Sequence, residues 1–327
     1  HAKGQSAAGL RGERGLPLWA VLPAPGRGER CSCSECAMTT TPSYYDAEVF
    51  ARYARFESAI KEAAPDAVVF SDIGPDIRWV GNERGIAGQT NWNLLDTAGF
   101  KRGEGGPPLD TLNQGNVNGK QWIPAECDVS IRPGWFYHVK EDDKVKTAEE
   151  LMRLYLQSAG RGANFLLNVP PNRRGLIHPN DSAELVRFHR LRESFYQNDV
   201  TKEFGLSVSN SRKKYPASNV TDGDRTTCWA AQDGDPSPQL NLRSTVPHSF
   251  NTLVLEEYLE AGQRIISFTV EVREGDHYRE VARGTTVGRK RILQFPRQTS
   301  TGLRITFNDA KAAPALAEIR VLDAPYY

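Results

Sequence analysis

The residues with the most chemistry in them fall within 71–138. That stretch opens with SDIGPDIRWVGNERGIAGQTNW and closes with WIPAECDVSIRPGWFYH. Glu83 sits in a Gly-Asn-Glu turn behind Arg78 and Trp79, Glu126 and Asp128 follow the apolar Trp122-Ile123-Pro124, and Trp135 follows Arg132. Carboxylates can move protons, and flat indoles can stack on a pyranose ring. Together they are what cleavage of a sugar bond requires. Each has a plainer reading. Glu83 could be a solvated loop glutamate, since most glutamates face water. Glu126 could be a structural carboxylate paired with Arg132, and Trp135 a packing residue. The planar fork of Arg78 could orient a carboxylate or a sugar hydroxyl, or form a salt bridge with Asp76 or Asp72.

These residues need elements to hold them. Apolar residues Val49, Phe50, Tyr53, Phe56 and Ile60 recur at threes and fours, which predicts a helix over 46–64, stopped by Pro65. Residues 67–70 are wholly apolar and read as a parallel strand buried on both faces, with Ser71 and Asp72 at its C-terminal end. Residues 103–119, rich in Gly, Pro and Asn, read as a surface loop. Thr147-Ala-Glu-Glu150 is a capping box that opens a helix running to Gln157. Residues 164–169 form another buried strand, ended by Pro170 and Pro171, and a last helix runs over 181–196. Strand, loop and helix in alternation predict a partial (β/α) TIM-like barrel over 41–199, with its site at the C-terminal ends of the strands. From about residue 200 the period becomes two, as over 250–256, 265–272 and 302–307. That predicts an antiparallel β-sandwich over 200–327. The fold class is therefore α/β plus all-β.

Composition narrows the partners. The chain has 327 residues, 39% hydrophobic and 25% charged, with a net charge of +1. That suits two globular domains and implies no basic face, so nucleic acid is not an expected partner. No apolar run is long enough to cross a bilayer, so no membrane partner is expected either. The five cysteines give no legible disulfide framework. The CSCSEC run lacks the paired spacing or nearby histidines of a zinc site, and Cys127 and Cys228 read as buried thiols. Residues 1–40 show no strand or helix period and read as an unstructured or misframed leader.

The 71–138 stretch, with its Val-Phe-Ser-Asp strand and Gly-Asn-Glu turn, resembles the second half of the catalytic domain of α-L-fucosidases of glycoside hydrolase family 29. The motifs Ala217-Ser-Asn-Val-Thr-Asp-Gly-Asp224, Thr227-Cys-Trp229 and Gly262-Gln-Arg-Ile265 resemble discoidin-like (factor 5/8 type C) modules. The first resemblance implies a retaining glycosidase that removes terminal α-L-fucose from glycans without metal or organic cofactor. Retention needs two carboxyl groups about 5 Å apart. It makes Glu83 the acid/base candidate and Glu126 the runner-up, with Arg78, Trp79 and Trp135 as substrate-binding candidates. The family nucleophile, an aspartate in a Trp-Phe-Asp-Gly-like motif, has no counterpart in this sequence, and Asp72 does not match it. Half a barrel leaves open strand edges, so a homo-oligomer is an expected partner state. The rival expectation is a non-catalytic carbohydrate-binding or scaffold protein built on the sandwich. Arg161 and Asn164 are expected to brace the barrel, Trp229 to lie in the sandwich core, and the Asp222–Asp224 loop to be either a calcium loop or a plain turn.

Overall fold

The computed structural model describes residues 47–100 and 106–327, with side chains from residue 55 onward. The leader, Cys31, Cys33 and Cys36, and the side chains of Val49, Phe50 and Tyr53 lie outside the described residues. Helix α1 spans Ala47–Ala63. Lys61, in its last turn, donates to Ala67 O at 2.7 Å and to Asp76 at 2.9 Å, which fixes the helix against the strand that follows. Asp76 is therefore the partner of Lys61 rather than of Arg78. Phe56, predicted on the apolar face, is exposed.

Four short strands make a parallel sheet in the order β1-β2-β5-β6. They are β1 (Phe70–Ser71), β2 (Ile77–Trp79), β5 (Ala125–Ser130) and β6 (Asn164–Asn168). Between them β3 (Leu94–Leu95) pairs antiparallel with β4 (Gln121–Trp122). Helix α2 (Leu109–Gln114) falls inside 103–119, where a bare loop was expected. Its six residues bury Leu112, and the surrounding Gly and Pro masked so short a helix.

Helix α3 (Ala148–Gln157) opens on the predicted capping box, with the Thr147 side chain and the Glu150 backbone and side chain bonded reciprocally. Helix α4 (Pro179–Gln197) begins two residues earlier than predicted, with Pro at its first position and His178 as N-cap. Helices α3 and α4 pack together, burying Met152 and Phe195.

Side chains alternate across a strand, so the parallel sheet has two unlike faces. Ala125 and Cys127 point one way, into a core with Val80, Ala87 and Ala163, and Val129 is buried on the same side. Burial pushes the Cys127 thiol up to about 12, as expected of an inert structural cysteine. The register pairs Trp79 with Glu126, Glu126 with Asn164, Asp128 with Leu166, and Ser130 with Asn168. The other face therefore carries Trp79, three polar residues of β5 and two asparagines of β6.

The sandwich strands are β7 (Gly205–Val208), β8 (Trp229–Ala230), β9 (Gln239–Glu257), β10 (Ile265–Glu274), β11 (His277–Gly284), β12 (Arg291–Ala310) and β13 (Ala315–Leu322). They form one antiparallel network, ordered β11-β10-β12-β9-β13-β8, with β7 also on β9. The long strands β9 and β12 pair along their length, and shifts of register at Gln294/Gln298 and Ser300/Gly302 bend them. Trp229, Phe250, Phe268, Phe295 and Phe307 fill the space enclosed. Trp229 is fully buried, as the sequence led us to expect. The Asp222–Asp224 loop closes on itself. Asp222 accepts from Asp224 N at 2.8 Å and from Thr227 Oγ1 at 2.7 Å, and Asp224 accepts from the backbone and hydroxyl of Thr226. Among the described residues no group of three or more His, Cys, Asp or Glu is placed to hold a metal.

Segment 89–93 joins the two parts. Asn91 N donates to Thr286 Oγ1 at 2.8 Å and Asn93 N to Gln263 Oε1 at 2.8 Å, while Gln263 Nε2 donates back to Asn91 O at 2.8 Å. Thr285 Oγ1 and Arg291 Nη1 both donate to Gln89 O. The sandwich thus grips the backbone of the loop that follows the Glu83 turn.

Candidate active site

Glu83 lies in the turn that follows β2, at the C-terminal end of the sheet, where a (β/α) fold places its chemistry. Two features shape that turn. Asn82 Oδ1 accepts from Arg84 N at 3.1 Å, and Asn82 Nδ2 donates to Ile86 O at 2.9 Å. Gly85 adopts a left-handed φ of 73° and presses on Val129, where a Cβ would meet Cγ1 at 2.8 Å. The turn therefore rides directly on β5.

The exposed Glu83 carboxylate accepts from Trp135 Nε1 at 3.0 Å. Trp135 comes from the loop after β5, and that loop is itself held. Asn168 Nδ2 donates to Trp135 O at 2.9 Å, and Ser130 Oγ donates to Gly134 O at 2.7 Å. Two loops from two strands thus bring an acid and an indole together over the polar face.

Below them lie two more carboxylates. Trp79 Nε1 donates to Asp128 Oδ1 at 2.9 Å, and Asn164 Nδ2 donates to Glu126 Oε2 at 2.6 Å. Burial pushes the Glu126 carboxyl up, the Asn164 bond pulls it down, and the charge of Asp128 pushes it up again. Burial also raises Asp128, opposed by its own backbone and by Trp79, and the charge of Glu83 adds to the rise. Three carboxylates within electrostatic reach, two of them held towards the neutral form, can hold and pass protons.

The structure corrects some assignments. Arg78 does not face this site. It points to the opposite side of β2 and is fully buried. Its guanidinium donates to Leu112 O at 2.8 Å, Ile123 O, Asn91 Oδ1 at 3.3 Å and Trp92 O at 3.0 Å. With those donors engaged on three backbone carbonyls and the Asn91 side chain, it ties the strand to segment 89–93 rather than reaching a sugar. Burial pushes it down to about 10.

Arg132 is not the partner of Glu126. It forks onto Asp181 through Nε and Nη2, both at 2.9 Å, and reaches Asp142 through Nη1 at 2.9 Å. That triad anchors the Trp135 loop to the start of α4. Asp72 closes a local turn, accepting from Ser71 Oγ and Ile73 N. Arg161 donates to Ala87 O at 2.7 Å.

No site role was assigned to Asp128 from sequence, yet the structure places it on Trp79. Its spacing of two from Glu126 was the available signal. On a strand that spacing puts both carboxylates on one face.

A parallel α/β half-barrel with carboxylates and indoles at its strand ends, braced by an antiparallel β-sandwich, defines a class of two-part α/β plus all-β proteins. Comparison with known proteins narrows it. A family model described as Alpha-L-fucosidase matches residues 90–190. The chain is 38% identical over 267 residues to Alpha-L-fucosidase 1 of Arabidopsis thaliana, covering 80% of this chain and 52% of that protein. The structure of a putative α-L-fucosidase from Bacteroides thetaiotaomicron aligns with a TM-score of 0.77 at 30% identity, over 85% of this chain and 62% of that one. A Ruminococcus gnavus GH29 fucosidase solved in complex with fucose aligns with a TM-score of 0.74 at 27% identity, over 88% of this chain and 60% of that one. Over most of its length the chain is similar to α-L-fucosidases, GH29 fucosidases among them, and it spans about half the length of the curated relatives it matches.

Proposed function

We propose that this chain carries the acid/base half of a retaining α-L-fucosidase site acting on fucosylated glycans. The observation that carries the reading is the Glu83–Trp135 pair at the strand ends, above Asp128 and Glu126. In this reading Glu83 protonates the leaving oxygen and later takes a proton from the attacking water. Trp135 orients the Glu83 carboxylate and offers an aromatic face beside it. Trp79 fixes Asp128, whose charge adds to the upward push on the Glu126 carboxyl. Glu126 is the second candidate for the acid/base role. No attacking carboxylate is assigned among the described residues.

The test is release of nitrophenol from an aryl α-L-fucoside, run beside Glu83→Gln. Loss of the general acid/base is expected to lower turnover by about 10²–10⁴-fold, with poor leaving groups affected most. Unchanged turnover in Glu83→Gln would remove Glu83 from the mechanism. A folded chain that releases nothing but binds fucosides would support the rival reading, a glycan-binding protein.

A further inference from the structure

A second polar site lies away from these carboxylates, where the half-barrel meets the sandwich. A cleft of about 240 Å³ opens between α3, the segment after it, and strands β11 and β12. Arg153, Arg161, Arg283 and Arg291 line it with Gln89 and Gln157, and no Asp or Glu side chain does. Of the four arginines only Arg283 has a carboxylate partner among the described residues, the exposed Glu280.

Arg291 is 6% exposed, yet its Nε has no hydrogen-bond partner. A buried, unpaired guanidinium N–H is costly and calls for an acceptor. The neighbouring guanidinium makes the deficit larger. Burial pushes Arg291 down to about 10, and the positive charge of Arg161 pushes it further the same way. The two arginines cannot drift apart, because their backbones form a β-bridge and Ile292 N donates to Gly160 O at 2.8 Å. Two like charges are thus held together, partly desolvated, with no Asp or Glu side chain paired to either among the described residues.

We propose that this cleft binds a tetrahedral oxyanion of the sulfate or phosphate class, with Arg291, Arg161 and Arg153 as its donors. Several features favour that chemistry. Planar guanidinium forks match the geometry of such oxygens and donate charge-assisted bonds. The cleft is smaller than the roughly 300–1,000 Å³ typical of sites for drug-sized ligands, which suits a single anionic group. Gln157 adds a neutral amide donor. An anion seated there would offset the mutual repulsion of Arg161 and Arg291, so binding would also fasten the sandwich to the half-barrel. The same chemistry is offered by free inorganic anions and by a sulfate ester on a glycan.

The site is independent of the fucoside-cleaving reading, and its test does not use turnover. Calorimetric titration of the full chain with sodium sulfate and with sodium phosphate, at fixed ionic strength in chloride, is expected to give a saturable isotherm. Arg153→Gln changes an exposed helical side chain and leaves the buried pair intact. It is expected to weaken binding by about tenfold, one charge-assisted bond's worth. Arg291→Met is expected to abolish binding. A parallel titration with galactose 6-sulfate and with neutral galactose separates the sources. Tighter binding of the sulfate ester than of inorganic sulfate, with galactose silent, points to an acidic glycan. Binding of the inorganic anions alone points to a free ion. Both support the site. An absence of saturable binding by any of the anions overturns the proposal, as does anion affinity that Arg153→Gln leaves unchanged.

Discussion

The two halves of this molecule are held together by different means. The sandwich closes an aromatic core with its own strands, and Trp229, Phe250, Phe268 and Phe307 are all buried in it. In the half-barrel the sheet is four short strands, one face packed and the other polar and half-open. Its largest fully buried side chains include Arg78 and Arg132, both charged. Apolar burial contributes wherever enough surface is removed from water, and the sandwich has strands of up to 20 residues to do it. The half-barrel instead uses guanidinium groups that each bond several partners at once. The side chains able to do chemistry gather on the sheet face that is not closed, because a closed apolar core has no room for them.

Four measurements test that contrast, each read as urea unfolding of the full chain. The largest difference is expected between two tryptophans. Trp229→Ala leaves a cavity in a closed core and should cost about 3–5 kcal/mol. Trp79→Phe keeps an aromatic side chain but loses the bond to Asp128 and part of the indole's packing, so about 1–3 kcal/mol is expected. Equal losses would mean that the open face is as tightly packed as the core.

Next comes the buried ion pair. Asp181→Ala strands the fully buried Arg132 and should cost about 3–5 kcal/mol. It should also loosen the Trp135 loop, which Trp135 fluorescence would report. A loss below 1 kcal/mol would show that Asp142 alone suffices for Arg132.

The third measurement concerns the buried charge of the sandwich. Glu257 accepts from the backbone N–H groups of Arg264, Ile265 and Gly288. Burial nevertheless pushes its carboxyl up to about 7, against those three donors. Because the folded value lies above the unfolded one near 4.5, the folded state binds the extra proton between them. Stability from this group is complete below pH 4.5, falls as pH rises, and is gone above 7. The loss is of order 3 kcal/mol at about 1.4 kcal/mol per unit. Glu318, raised to about 7 by burial and then by the charges of Glu256 and Asp222, titrates in the same window. Glu257→Gln should flatten the pH profile, leaving the Glu318 share. An unchanged slope would mean that the three donors hold Glu257 ionised.

The smallest effect is expected at the α3 cap. Thr147→Ala removes one of two reciprocal bonds and should cost about 1 kcal/mol. A much larger loss would mean that α3 is only marginally held by its packing on α4.

How far the sequence was legible depends on range. The capping box of α3 was readable because its partners are three residues apart. The sandwich was readable because a period of two survives in any strand with one buried face. Helix α2 was missed because six residues give no period to detect. Arg78 was misassigned because its acceptors, mostly backbone carbonyls, lie as far off as residue 123, which no spacing rule reveals. The pairing of Arg132 with Asp181 spans 49 residues and was equally invisible.

Readable from the chain alone were the residues able to act as acids, the places of α1, α3 and α4, and the succession of two architectures. Local spacing carries that information, since caps and periodicities act within a few residues. Folding in three dimensions set which carboxylate meets which indole, which arginines serve the fold, and that two of them meet at the junction without an Asp or Glu partner among the described residues. Those outcomes depend on strand order and on the docking of segment 89–93, where contacts between residues far apart in the chain outweigh anything a residue can arrange with its neighbours.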